Sequence, residues 1–521
     1  MTSGKPCVLA RRQFLKATVI PFLGWGTGAS RLAVADPSPF SFDTVVAAAQ
    51  RLARSPFADV RGTIAKAWRD ISYDQFQNIR FKSKRALWKG DGLFELQLLH
   101  PGFYYDYAVA INTVVDGRSS PLDYDPDLFD FGDLDPRTLG LQGLGFAGFR
   151  IHFPIQTPPH ATEFINFLGA SYFRLIGRGQ WYGASVRGLA VDTALIGSEE
   201  FPLFKEFWIE KPASDSASIT LYALLDSPHV TGAYRFIVRP RTAAEVEVSA
   251  RLFVRRDIAR LGIAPLTSMF YFGETHTRPV DDFRPEVHDS DGLLIHNQSG
   301  EWLWRPLLNR TEVTTTSFQG YSPRGFGLLQ RDREFSSYQD LQAHYQQRPS
   351  LWVQPLGDWG EGRVELVEIP TDLEINDNIV SYWVSDQPVR TGAALDYAYV
   401  VTAFLDDPRW PPAGRVESTR VGTALRLGAH QMKPPPGARL FVVEFNHGQL
   451  PMLEELQPVE AVVNVSSGSI SQPVAQKNVY TGGWRAFFDF FPDGDQSSDL
   501  RCFLRLREEV LTETWTVLWK P

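Results

Sequence analysis

The sequence predicts an almost wholly β protein, a large β domain followed by a small one, on three observations. Short runs rich in β-branched and aromatic residues, each bounded by Gly, Pro or Asp, recur at close spacing along most of the chain, the pattern of a sandwich or barrel. Aromatic residues make up 13 % of the composition; they favour strands and also stack on the apolar faces of sugar rings. The 521 residues exceed one compact core, and a Pro-rich acidic stretch late in the chain splits them unequally.

Residues 1–35 read as a targeting segment rather than as fold. Lys5 and Arg11-Arg12-Gln13-Phe14-Leu15-Lys16 form a basic twin-arginine start. A moderately apolar run from Ala17 to Gly28 follows, then Arg31, then Ala33-Val34-Ala35 as a small-x-small cleavage site. The apolar run is well short of the ~20 residues that a bilayer span needs. A twin-arginine signal peptide implies a periplasmic location and no membrane span. Its removal takes away five basic and no acidic side chains and moves the formal charge from −8 to −13, which argues against nucleic acid as a partner. Cys7 leaves with it, and Cys502 alone has no partner for an internal disulfide.

Residues 36–405 form the expected large domain. Ser41 can cap a short amphipathic helix carrying Val46, Ala49, Leu52 and Ala53, ended near Pro56. Strands are expected at Leu93–Leu98, Tyr104–Val109 and Tyr234–Val238, and a later helix over Tyr338–Gln347, stopped by Arg348-Pro349. Asp406-Asp407-Pro408-Arg409-Trp410-Pro411-Pro412 suits neither helix nor central strand, so 406–414 reads as a linker. In 415–521, strands at Leu440–Phe445, Ala461–Val465, Trp484–Phe490, Cys502–Leu506 and Trp515–Trp519 match an immunoglobulin-like sandwich in size.

Several motifs fail on context. Gly143-Leu144-Gly145-Phe146-Ala147-Gly148 spells a dinucleotide-binding pattern, but Phe149-Arg150-Ile151-His152-Phe153 continues it as a strand, without the helix N-terminus that would hold a pyrophosphate. The acidic run Asp123, Asp125, Asp127, Asp130, Asp133 and Asp135 lacks the Gly and Glu of a calcium loop and reads as a solvated acidic loop. His229, His276, His288 and His296 have no close ligand spacing, so neither a metal nor another cofactor is expected. There is no G-x-S-x-G elbow. What remains is carboxylates beside aromatics: His288-Asp289-Ser290-Asp291 before Leu293-Leu294-Ile295, and Glu374-Ile375-Asn376-Asp377-Asn378 before Ile379-Val380-Ser381-Tyr382-Trp383. Glycoside hydrolysis needs one carboxylic acid and one carboxylate, although on residue types alone a turn cap is the favoured reading of either Asp.

The segments Leu144-Gly145-Phe146-Ala147-Gly148-Phe149-Arg150, Leu168-Gly169-Ala170-Ser171-Tyr172-Phe173-Arg174, Tyr222-Ala223-Leu224-Leu225-Asp226-Ser227, Gly325-Phe326-Gly327-Leu328-Leu329-Gln330, Arg348-Pro349-Ser350-Leu351-Trp352-Val353 and Asp377-Asn378-Ile379-Val380 resemble the osmoregulated periplasmic glucan biosynthesis proteins G and D, from about residue 38 to the C-terminus. The resemblance implies a galactose-mutarotase-like β-sandwich with a glucan cleft, then the immunoglobulin-like domain, acting on a β-1,2-linked glucan backbone. By similarity to inverting β-1,2-glucanases, Asp377 maps to the general acid and Asp289 to the base, acting through an extended relay. Trp352, Tyr338, Tyr345, Trp359 and Arg348 lie in segments matching cleft-lining regions, and Glu374 is a local negative charge able to keep Asp377 protonated. Asp289 is expected to be ionised and more solvated.

The twin-arginine signal resembles protein D, whereas Gly292 and Val364-Glu365-Leu366-Val367-Glu368-Ile369-Pro370 are nearer to protein G, which leaves the strength of hydrolysis open. The rival reading is a non-catalytic glucan-binding factor that presents the chain to a membrane glucan synthase or a branching enzyme. A sugar epimerase rests on fold analogy alone.

Overall fold

The computed structural model describes residues 38–195, 197, 199–275, 281–407, 411–424 and 435–520. The expected signal peptide, His276 and residues 408–410 of the expected linker lie outside the described residues. Nearly all regular structure is strand, and the protein is an all-β sandwich.

Among the described residues, a 16-stranded sheet and a 10-stranded sheet face each other across one large core. Alternation along the strands makes most of that core. In Gly148–Thr157, Phe149 and Ile151 point inward, as do Ile165 and Phe167 in His160–Leu168 and Phe173 and Leu175 in Tyr172–Leu175. From the other sheet, Phe207 and Phe236 meet Phe167 edge-on, with ring centroids 5.6 and 5.3 Å away. Gly148, the last glycine of the failed nucleotide motif, opens a strand: a Cβ there would lie 2.0 Å from the Phe167 carbonyl oxygen, so close backbone approach explains the glycine. Asp125, Asp130 and Asp135 of the acidic run accept backbone N–H bonds from Asp127, Gly132 and Arg137, as turn caps do.

The expected N-terminal helix forms over Phe42–Ala53. It buries Val45 and Ala49 against Trp208, Tyr222 and Ala233, and Arg255 donates to the Leu52 carbonyl near its C-terminus. Two local expectations are corrected. Residues 104–109 form a turn and isolated bridges, because Phe103 takes a left-handed φ of 52° and Tyr105 N–H turns back to Gly102 O at 2.9 Å. The helix over 338–347 is replaced by a single α-helical turn at Phe335–Tyr338 and a 3-10 turn at Tyr345–Gln347. Gln339 and His344 are left-handed, and the Asp340 carboxylate takes the N–H groups of Gln342 and Ala343, both at 2.8 Å, in place of helical carbonyls.

The C-terminal strands appear where the sequence indicates, but they divide between two sheets. Arg415–Thr423, Arg439–Asn446 and Trp484–Phe491 belong to a separate five-stranded sheet. Thr514–Trp519, Ser498–Leu506 and Val459–Val465 extend the large sheet instead, joined to it by a parallel pairing of Leu303 with Thr514 and Trp304 with Trp515. A second core, including Leu294, Trp304, Trp352, Phe441, Phe488 and Trp515, fills the space beneath. The described residues around 406–413 carry no strand, and Arg415 gathers them: it donates to the Asp406 carboxylate at 2.9 Å and to the carbonyls of Asp407 and Pro411.

Candidate active site

Asp289 follows the strand Val287–His288, which pairs with Phe270–Phe272. Asp377 precedes Ile379–Ser385, which pairs with Leu261–Ser268 through Thr267↔Val380 and Ser268↔Ile379. Since Phe270 lies just beyond Ser268, two segments far apart in sequence start their strands side by side. Buried Asn378 locks the join: its side-chain oxygen accepts from Phe270 N–H at 2.8 Å, and its amide donates to the carbonyls of Phe270 and Ile369 at 2.9 and 3.0 Å. The hydroxyls of Ser268 and Ser290 share a hydrogen bond of 2.8 Å, and Asp289 N–H donates to Met269 O at 2.8 Å. Both Asp residues are thereby anchored to one backbone.

Asp289 is only 4 % exposed, and its carboxylate receives the Arg348 guanidinium. Burial lifts its pKa above the ordinary carboxylate value, Arg348 opposes the rise, and the charge of Asp377 adds to it. The expectation of a solvated Asp289 is therefore corrected: the segment is clamped beneath Arg348, which excludes water from it. Asp377 therefore lies within electrostatic reach of Asp289. Asp377 itself is half-buried.

Arg348 is held in turn. Its Nε donates to Ala343 O at 3.1 Å, and its guanidinium lies 4.1 Å from the Tyr345 ring centroid. Tyr345 packs on Tyr338 at 5.7 Å, and Tyr338 meets His288 edge-on at 5.3 Å while donating its hydroxyl to Asp332 O at 3.1 Å. Tyr338 is wholly buried and supports the site from behind. The Glu374 carboxylate is engaged by Arg284 at 2.6 Å, and the same guanidinium reaches Asp282 at 2.7 Å and Asp340 at 2.9 Å. Trp352 and Trp359 stand apart from this group. Trp352 belongs to the second core beside Trp302, and Trp359 packs among Trp383, Tyr397 and Tyr399.

Sequence reasoning missed several members. Gln330 knits the site together: its amide donates to the carbonyls of His288 and Tyr345 at 2.9 and 3.3 Å, and its oxygen accepts from His288 Nδ1–H at 2.9 Å. Buried His288 also donates from Nε2 to Glu286 at 2.8 Å and lies 3.5 Å from Asp291. Burial works against its charge, but Asp291 and Glu286 outweigh that and raise its pKa to about 9. Glu286, His288 and Asp291 bring ligand-type atoms within 4.8 Å of one another, a grouping that the spacing between histidines alone does not reveal and that a charge-paired imidazolium accounts for.

Arg174 donates to Ser185 Oγ at 2.8 Å, and its charge acts on Asp289. It belongs to a polar row on the face away from the core, in which Gln97 pairs with Arg150, Arg150 with Asn166, and Asn166 with Arg174. The signal was present in the alternation, since Arg174 sits between the core residues Phe173 and Leu175. Carboxylates and guanidinium groups, backed by tyrosines, thus gather beside a polar strand row, a set of donors and acceptors able to hydrogen-bond a polar ligand.

Such a scaffold is a large two-sheet β-sandwich that sets two carboxylates, Asp289 and Asp377, at adjoining strand starts. Residues 40–519 match the family model described as periplasmic glucan biosynthesis protein, MdoG. A glucans biosynthesis protein G from Ralstonia nicotianae is 46 % identical over 92 % of this chain and 96 % of its own length. One from Vibrio cholerae serotype O1 is 42 % identical over 92 % and 87 %. The chain belongs to the MdoG family of periplasmic glucan biosynthesis proteins. A solved polysaccharide lyase aligns at 8 % identity with a TM-score of 0.22, over 72 % of this chain and 44 % of its own, too low to bear on the fold. No described helix is long and apolar enough to cross a membrane.

Proposed function

We propose that this protein is exported by the twin-arginine route and acts in the periplasm in osmoregulated periplasmic glucan biosynthesis, trimming the β-1,2-linked glucose backbone by inverting hydrolysis. Asp377 is the general acid that protonates the leaving glycosidic oxygen. Asp289 is the base that draws a proton from water through an intervening relay. Arg348, Tyr345 and Glu374 hold glucan hydroxyls near the pair. The observation that carries this reading is geometric: Asp289 and Asp377 stand at adjoining strand starts, joined through Asn378 to Phe270 and through the Ser268–Ser290 hydrogen bond. A raised Asp289 pKa makes that residue a stronger base than an ordinary carboxylate once it is ionised. The segment 406–414 is, in the same reading, the join between the large sandwich and an immunoglobulin-like domain.

One observation favours the second reading, a glucan-binding factor that presents the chain to a membrane synthase or branching enzyme: Asp289 is already committed to Arg348, and a base needs that bond loosened by substrate. Incubation with linear β-1,2-glucan separates the two. Hydrolysis predicts short products, and Asp377→Asn lowers turnover by ~10²–10⁴-fold while binding persists. Tight binding without products, in the wild type as in the variant, supports the binding factor.

A further inference from the structure

An open groove of about 900 Å³ lies at the far end of the strands that carry the site, bordered by His296, Trp302, Tyr321, Arg324, Gln354 and Asp358. Arg348 precedes the strand Ser350–Leu356, whereas Gln354 and Asp358 lie at or beyond its other end, so at ~3.3 Å per residue the groove is roughly 20 Å from the Asp289 clamp. We propose that this groove is a second carbohydrate-binding site, which holds a stretch of neutral glucose polymer away from the carboxylate pair. The proposal rests on the glucan reading above.

The groove has the two features that sugar recognition needs, rigid apolar plates and planar polar groups. His296 and Trp302 are cross-strand partners, stacked at 3.9 Å and 10° between planes, and Trp302 is backed by Trp352 at 5.7 Å. Burial, aided by Arg324, holds the His296 pKa down to about 4, so the imidazole is an uncharged stacking partner at neutral pH. Tyr321 is 47 % exposed with its hydroxyl on Asp358, a large aromatic face left to solvent beside a fixed acceptor. The exposed amides of Gln298 and Gln354 supply donors and acceptors.

Charge selects among occupants. Arg324 and Asp358 balance, so a polyanion finds no positive surface here. The lining is also too polar for the apolar core of a protein interface. Ser322 at the rim has a left-handed φ of 24° and is held there by its N–H on Gly360 O at 2.7 Å and its Oγ accepting from Trp359 N–H at 3.0 Å. Backbone strain of that kind is tolerated where geometry serves binding.

The test compares retention on long linear β-1,2-glucan with binding of a short oligosaccharide, for the mature protein and two variants. Tyr321→Ala combined with Gln354→Ala changes only exposed side chains; it should weaken long-glucan binding by about 2- to 10-fold and leave oligosaccharide binding unchanged. Arg348→Ala should abolish oligosaccharide binding and keep a residual affinity for the long polymer. An unaltered long-glucan affinity in the Tyr321/Gln354 variant, together with the Arg348→Ala loss, overturns the second site and leaves the cleft reading intact. A wild-type protein that binds neither ligand overturns both.

Discussion

Replacing Arg348 with Ala leaves the Asp289 carboxyl buried, without its counter-ion and within the field of Asp377. Removing one partner of a buried ion pair costs about 3–5 kcal/mol, because the orphaned charge has neither water nor a partner. The Arg348 side chain is 17 % exposed, so water enters part of the space it vacates, which puts the expected loss near the lower end, about 3 kcal/mol. Converting Asp289 to Asn in the same background removes the stranded charge and should recover about 2 kcal/mol, a coupling typical of residues in direct contact. Denaturant unfolding of the two single variants and the double variant, followed by tryptophan fluorescence, measures the cycle. There is also a pH signature. Asp289 has a raised folded pKa, so its contribution worsens as pH climbs from the unfolded carboxylate range through the folded value, and the Arg348→Ala variant should regain stability at pH 5 relative to pH 8. A loss below about 1 kcal/mol with no recovery from Asp289→Asn would refute a buried charged pair at this position.

Two further expectations follow from other parts of the chain. Changing Arg11 and Arg12 to Lys should trap precursor in the cytoplasm, and immunoblotting of periplasmic fractions checks it; normal maturation argues for general secretion instead. The His288 pKa is raised from 6.5 to about 9 by Asp291 and Glu286 against the effect of burial. The imidazolium therefore adds stability that is fully present below about pH 6.5 and is lost as pH rises through 9. The difference in unfolding free energy between wild type and His288→Gln should shrink from pH 7 to pH 10, and a constant difference contradicts the charged assignment.

The strands were legible wherever burial alternated cleanly, as at Tyr234–Val238 and Trp484–Phe490, because period-2 patterning reports directly on one buried face. The failed nucleotide motif was also legible, since the aromatic run after Gly148 excluded a helix. The stretch 338–347 was not: its composition suits a helix, but the Asp340 turn and the Arg284 ion cluster, both tertiary, decide its shape. Tyr104–Val109 failed for a similar reason, a left-handed Phe103 that no local pattern announces. At the site, Asp289, Asp377, Arg348 and Tyr345 came from family motifs; Gln330 closes one of those motifs, but its role, like the reach of Arg284 to Asp340 and Glu374, depends on partners remote in sequence. The burial of Asp289 was misread because a polar run before a strand looks solvent-facing until Arg348 is seen to close over it.

In the proposed mechanism, Asp377 and Asp289 hydrolyse a β-1,2-glucan with inversion. Proton NMR of the first turnovers on linear β-1,2-glucan, recorded faster than mutarotation, reads it most directly. An inverting pair delivers the new reducing end first as the α anomer, and Asp377→Asn suppresses the signal. A β anomer at first appearance would contradict the mechanism, and the absence of any new reducing end would contradict hydrolysis itself.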